Sequence, residues 1–136
     1  MTARRLAVGL GTVVLAGGSL LACGSDSKAT EEATVETYVT VPDAQVATGL
    51  AGTQQLMDAM AAAPSTASDA TITAVSDSWL VYEGNIKVND AAAYLDAEDA
   101  LALFANAARD GDAAGMQSAA DKFRAVAATY TAAHPG

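Results

Sequence analysis

The stretch "DAAAYLDAEDALALFANAARDGDAAGMQSAADKFRAVAATY", Asp90 to Tyr130, decides the fold. Tyr94, Ala97, Leu101, Phe104 and Ala108 recur at steps of three and four, and so do Met116, Ala119, Phe123, Val126 and Tyr130. Such spacing lays one apolar stripe along a helix of 3.6 residues per turn; a strand would need alternation. Asn89 or Asp90 is the expected N-cap of the first helix. "RDGD", 109–112, supplies a stop and then a cap, Asp112, for the second. Two helices joined by so short a turn fold back on each other as antiparallel neighbours.

The same pattern continues upstream. Val46, Leu50, Thr53, Met57 and Met60 form a third stripe, with Asp43 as the expected N-cap and Pro64 as the stop. Gly49 and Gly52 lie inside it. Each costs about 1 kcal/mol relative to alanine in a helix, which predicts a close helix contact or a kink there. Ile72, Val75, Trp79, Tyr82 and Ile86 form the fourth stripe. Thr66 and Asp69 stand at capping-box spacing before it, and Gly84-Asn85 is a candidate early end. About a quarter of the residues are alanine and only 5% are aromatic, a composition that suits helices better than strands. The expectation is an all-α domain over residues 43–136, an antiparallel up-down four-helix bundle packed near +20°.

The formal charge is −9. An acidic surface repels phosphate backbones, so nucleic acid is not an expected partner. The single cysteine, Cys23, forms no internal disulfide and belongs to no CxxC or Cys/His cluster. Its neighbours explain it. Arg4 and Arg5 precede an apolar run interrupted by small residues, "LAVGLGTVVLAGGSLLA", the layout of an export signal. The run ends in Leu20-Leu21-Ala22-Cys23, followed by Gly24.

"LLAC" resembles the lipobox of bacterial lipoproteins. The resemblance implies a cleaved signal peptide over 1–22 and a diacylglycerol thioether on Cys23. It therefore implies a bilayer as partner and an extracytoplasmic location on the cell membrane. Two acyl chains suffice for stable anchoring where one does not. The Arg4-Arg5 pair leaves general and twin-arginine export both open. Loss of Arg4 and Arg5 with the signal would take the formal charge from −9 to −11. Residues 23–42, rich in Ser, Thr and Glu, have no helical stripe and read as a flexible tether.

Candidate chemistry concentrates in Ser76 to Phe104, which holds the only tryptophan. Trp79 and Glu83, four residues apart, share a helix face. Glu98 occupies the matching position on the next helix. Glu83 and Glu98 are thus expected to converge on the flank of one groove, with Asp96 and Asp99 nearby. Trp79, Tyr82 and Tyr94 are the candidate pocket lining. At seam positions these aromatics also serve as core, together with Phe104, Phe123 and Tyr130. Lys87 stands at i, i+4 from Glu83, the spacing of an exposed helix ion pair.

The run from Trp79 through Tyr82-Glu83-Gly84, Ile86-Lys87, Asn89-Asp90, Tyr94 and Glu98-Asp99 to Ala108 is similar to helical extracytoplasmic domains of bacterial iron-uptake systems. These are imelysin-like proteins and the periplasmic parts of iron permeases. The resemblance implies a divalent or ferric ion at Glu83 and Glu98 and an envelope or permease protein as partner. The HxxE motif of imelysin-like proteins is absent, and His134 near the C-terminus is the only histidine. Glu-x-x-His pairs of di-iron bundles are also missing.

No GxSxG, P-loop or GxGxxG occurs, and the hydroxyl residues lack a histidine base, so an enzyme is not expected. The leading expectation is a lipid-anchored helical binding module accessory to metal-cation handling. Its alternative is a structural or protein-interaction lipoprotein without a small ligand. A haem or redox bundle, using His134 with Met57, Met60 or Met116, is a third.

Overall fold

The computed structural model describes Tyr38 and residues 40–135, and these described residues form five α-helices. The expected signal peptide, Cys23 and most of the expected tether lie outside the described residues. The described part is all-α, and it contains no strand; Tyr38, Thr40 and Val41 are not strand residues. None of its helices is long and apolar enough to cross a membrane.

Helix α1 (Asp43–Ala62) begins one residue earlier than its expected cap implies. Pro42 is the N-cap, its carbonyl accepting from Gln45 and Val46, and Asp43 is the first helical residue, where its charge suits the helix dipole. Val46, Leu50, Thr53, Met57 and Met60 are all buried, so the stripe is the inner face. Pro64 has no N–H to continue the helix and starts a 3-10 turn, Pro64–Thr66.

Helix α2 (Asp69–Leu80) is capped by a box, but not the expected one. Thr71 N–H donates to Ser68 Oγ at 3.2 Å, and Ser68 N–H donates to Thr71 Oγ1 at 2.9 Å. The Thr66 hydroxyl closes the preceding turn instead, donating to the Ala63 carbonyl at 2.7 Å.

The stripe from Ile72 to Ile86 is cut earlier than Gly84-Asn85 suggests. Val81 and Tyr82 form the break, and α3 (Glu83–Asn89) follows, with Gly84 and Asn85 buried inside it. The break leaves Leu80 and Val81 in solvent and turns Tyr82 inward. All five apolar residues of the stripe remain buried.

Helix α4 (Ala91–Asp110) is capped by Asp90, whose carboxylate accepts from Ala93 N–H at 2.9 Å. It ends at Gly111, φ 69°, where glycine carries no Cβ penalty. Gly111 and Asp112 return their N–H groups to the Ala108 and Ala107 carbonyls. Asp112 then caps α5 (Ala113–Ala133) by accepting from Gly115 N–H at 3.0 Å.

Helix α5 runs back along α4 and also packs on α1; α2 packs on α1, and α3 on α4. The innermost residues of α4 are Ala93, Ala97, Ala100, Phe104 and Ala108, so Tyr94 and Leu101 sit half-buried at its flank. Between α1 and α2 the core holds a polar relay. The Val75 carbonyl can only accept, so the Ser78 hydroxyl donates to it (2.7 Å), Thr53 to Ser78 (2.7 Å) and Tyr82 to Thr53 (2.6 Å). Burial pushes the Tyr82 phenol well above its ordinary pKa, with the Thr53 hydrogen bond opposing only in part. Gly49 lies against the Tyr82 ring, the close contact its position predicts.

Candidate functional site

Trp79 organises the site. It projects from the last turn of α2 and is 2% exposed. Its ring meets Tyr82 edge-on at 5.3 Å, Phe123 edge-on at 6.0 Å, and Tyr94 stacked at 6.1 Å. A buried indole N–H needs an acceptor. Here it donates to Glu98 Oε1 of α4, at 2.5 Å. One carboxylate oxygen is thereby fixed by the core.

Glu98 and Glu83 line one open cleft of about 330 Å³. Its floor and walls are Trp79, Tyr94, Leu101 and Ala105, and Leu80, 60% exposed, stands at its rim. The two carboxylates therefore line the same cleft, Glu83 from the first turn of α3 and Glu98 from α4. Among the described residues no hydrogen bond or ion pair reaches the Glu83 carboxylate, and no basic side chain pairs with Glu98. Lys87 is not the partner of Glu83. Its ammonium lies over the rings of Tyr38, at 4.5 Å, and Tyr94, at 5.3 Å.

The other candidates fall elsewhere. Asp99 turns to α5 and pairs with Lys122. Tyr82 belongs to the core relay and not to the cleft lining. Among the described residues no three His, Cys, Asp or Glu side chains gather to hold a metal ion. Met57, Met60 and Met116 are core residues, and the His134 ring lies tilted by 31° against Tyr130 with ring centroids 4.5 Å apart.

Two features escape the sequence patterns. The Trp79–Glu98 bond is one; the only hint was that a tryptophan at a seam needs an acceptor within reach. The other is Asn85, 5% exposed, whose amide bonds both backbone groups of Val41. A polar residue inside an apolar helical run was its only signal. No known protein family, curated protein or solved structure matches this chain significantly.

Proposed function

We propose that the chain is a lipid-anchored, extracytoplasmic helical module that docks a basic segment of an envelope protein in the α2–α4 cleft. The observation that carries it is the pairing of two carboxylates that have no cationic partner among the described residues with an apolar, aromatic floor. A guanidinium or ammonium on an aliphatic stem satisfies both halves at once, bonding to Glu83 and Glu98 while its stem covers Trp79 and Leu80. The cell-surface half of the proposal rests on the Leu20–Cys23 lipobox resemblance. The packing of α1, α4 and α5 supports reading the domain as an up-down bundle in which α2 and α3 together make one leg.

Metal capture is the weaker reading of the same cleft. Hard cations take six or more oxygen ligands, and one of the four carboxylate oxygens here already holds the indole. The likeness of Trp79–Ala108 to iron-uptake domains makes metal ions the control to run beside the peptide.

Calorimetry of the detergent-solubilised protein separates these readings. A short peptide alternating Arg and Leu is expected to bind saturably. Glu83→Gln with Glu98→Gln should weaken it about tenfold, which is about 1.4 kcal/mol. Asp69→Asn with Asp110→Asn, an equal charge change outside the cleft, should not. Peptide binding indifferent to the cleft pair refutes the proposal. Saturable Fe³⁺, Mn²⁺ or Zn²⁺ binding that needs both glutamates restores the metal reading.

A further inference from the structure

Glu83 stands four positions before Lys87, the spacing at which a carboxylate and an ammonium on one helix ordinarily pair. Both lie on α3, Glu83 in its first turn and Lys87 in its last, and both are half-buried. No ion pair joins them. The Lys87 ammonium lies 4.5 Å from the centre of the Tyr38 ring and 5.3 Å from that of Tyr94. Both distances fall inside the roughly 6 Å over which an aromatic face attracts a cation. Two ring faces at half-buried positions outweigh one i, i+4 ion pair, whose attraction water and salt screen.

Tyr38 precedes the first helix, so no helix places its ring. Val41, a little further along, is fastened to α3 instead. Its N–H donates to Asn85 Oδ1 and its carbonyl accepts from Asn85 Nδ2, both at 2.7 Å. Asn85 stands midway between Glu83 and Lys87 and is 5% exposed, so this clasp is built into the core side of the helix. It ties the chain beside Tyr38 to the helix that carries both charges. Tyr94 connects the same ammonium to the cleft. Its ring stacks on Trp79, whose indole N–H donates to Glu98. One line of contacts therefore runs from Tyr38 through Lys87 and Tyr94 to the cleft floor.

We infer that Tyr38 is a positioning residue for the cleft: with Tyr94 it holds the Lys87 ammonium off Glu83, which keeps that carboxylate available to a cation from outside the chain. The identity of that cation rests on the basic-segment reading of the cleft; the diversion of Lys87 rests on the ring contacts. Without the Tyr38 ring, Lys87 turns to Glu83 and neutralises half of the cleft's charge from within. A basic segment then meets Glu98 alone, one of whose oxygens already holds the indole.

The test has two arms, both on the detergent-solubilised full-length protein. In the first, lysine is isotope-labelled for magnetic resonance, and Lys87→Met identifies the Lys87 signals. Nuclear Overhauser contacts from the Lys87 ε-protons to the Tyr38 ring, and none to Glu83, are expected in the native protein. Tyr38→Leu keeps an apolar side chain and removes the ring; contacts to the Glu83 γ-protons should then appear. Tyr38→Phe, which keeps a ring, should behave as the native protein does. In the second arm the Arg-Leu peptide is titrated by calorimetry. Tyr38→Leu should weaken binding about threefold, half on a logarithmic scale of the loss expected when both glutamates are changed. Lys87→Met should restore that loss, and its gain should be clearly larger in Tyr38→Leu than in the otherwise native protein. Native contacts between Lys87 and Glu83, or none between them in Tyr38→Leu, overturn the inference. So does a loss in Tyr38→Leu that Lys87→Met leaves in place. A native protein that binds no peptide refutes the basic-segment reading, and the lysine contacts then still decide the role of Tyr38. Should Tyr38→Leu fail to fold, the native contacts of Lys87 decide it.

Discussion

Two glycines one turn apart in α1 behave oppositely. A Cβ on Gly49 would come within 2.6 Å of Tyr82 Cε1 and nearer still to Cδ1, against a ring that is 1% exposed. Gly49→Ala is therefore expected to destabilise by about 1–3 kcal/mol, the range for overpacking. A Cβ on Gly52 meets nothing within 4 Å. Gly52→Ala should stabilise by up to about 1 kcal/mol, since alanine is the better helix former. Urea unfolding of the two variants checks both signs. Tyr82→Phe keeps the ring but leaves Thr53 without its donor, at a cost of about 1–2 kcal/mol. Tyr82 also sets a pH limit. Its folded-state pKa lies above the ordinary 10.0, so the unfolded chain releases this proton first. Its contribution is intact below pH 10.0 and declines as pH rises above it. Stability measured from pH 9 to 11 should fall more steeply in the native protein than in Tyr82→Phe. At this scale the sequence exposed Gly49 as an anomaly that demanded a close contact. It could not name Tyr82 as the neighbour, because that contact joins residues 33 positions apart.

The elements were legible wherever one local signal dominated. Asp90, Gly111 and Asp112 cap and stop α4 and α5 as their residue types dictate. Two local patterns competed before α2, and spacing alone did not choose between them. Thr66 and Asp69 match the box spacing, but the Thr66 hydroxyl is committed to the Ala63 carbonyl, and Ser68 with Thr71 takes the cap. Ser68→Ala should cost about 1 kcal/mol in urea unfolding. Thr66→Ala, which removes only an exposed turn bond, should cost clearly less. The break at Val81-Tyr82 has neither glycine nor proline to announce it. It arises from tertiary demands, since Tyr82 must reach Thr53 while Asn85 reaches Val41. The flank positions of α4 shifted for a similar reason. Alanines pack closer to the neighbouring helices than Tyr94 and Leu101 can, so these larger side chains moved to the edge, and Tyr94 became a wall of the cleft.

For the whole molecule, charge matters more through repulsion than through pairing. Arg124 bridges Asp58, at 2.7 Å, and Asp121, and Lys122 pairs with Asp99, but all these side chains are about half exposed. Such exposed pairs contribute little and weaken with salt. Against them stand 16 acidic and 7 basic residues. Raising ionic strength from low to physiological should therefore raise the thermal midpoint, because screening relieves more repulsion than it loses attraction. On the proposed reading, the same acidity favours a cationic occupant of the cleft. Glu83 and Glu98 line one cleft, although the break at Val81-Tyr82 puts Glu83 on α3 and not on the Trp79 face of α2, and periodicity could not show that the core claims an oxygen of Glu98 or that Asp99 faces another helix. Those facts move the reading from a metal ion toward a basic side chain. The most direct test uses the only tryptophan, which forms the cleft floor and bonds Glu98. Titrating the Arg-Leu peptide while following Trp79 emission should give a saturable spectral shift that disappears when Glu83 and Glu98 are both changed to Gln. Emission that stays constant under excess peptide, or a shift that survives both substitutions, would contradict the account.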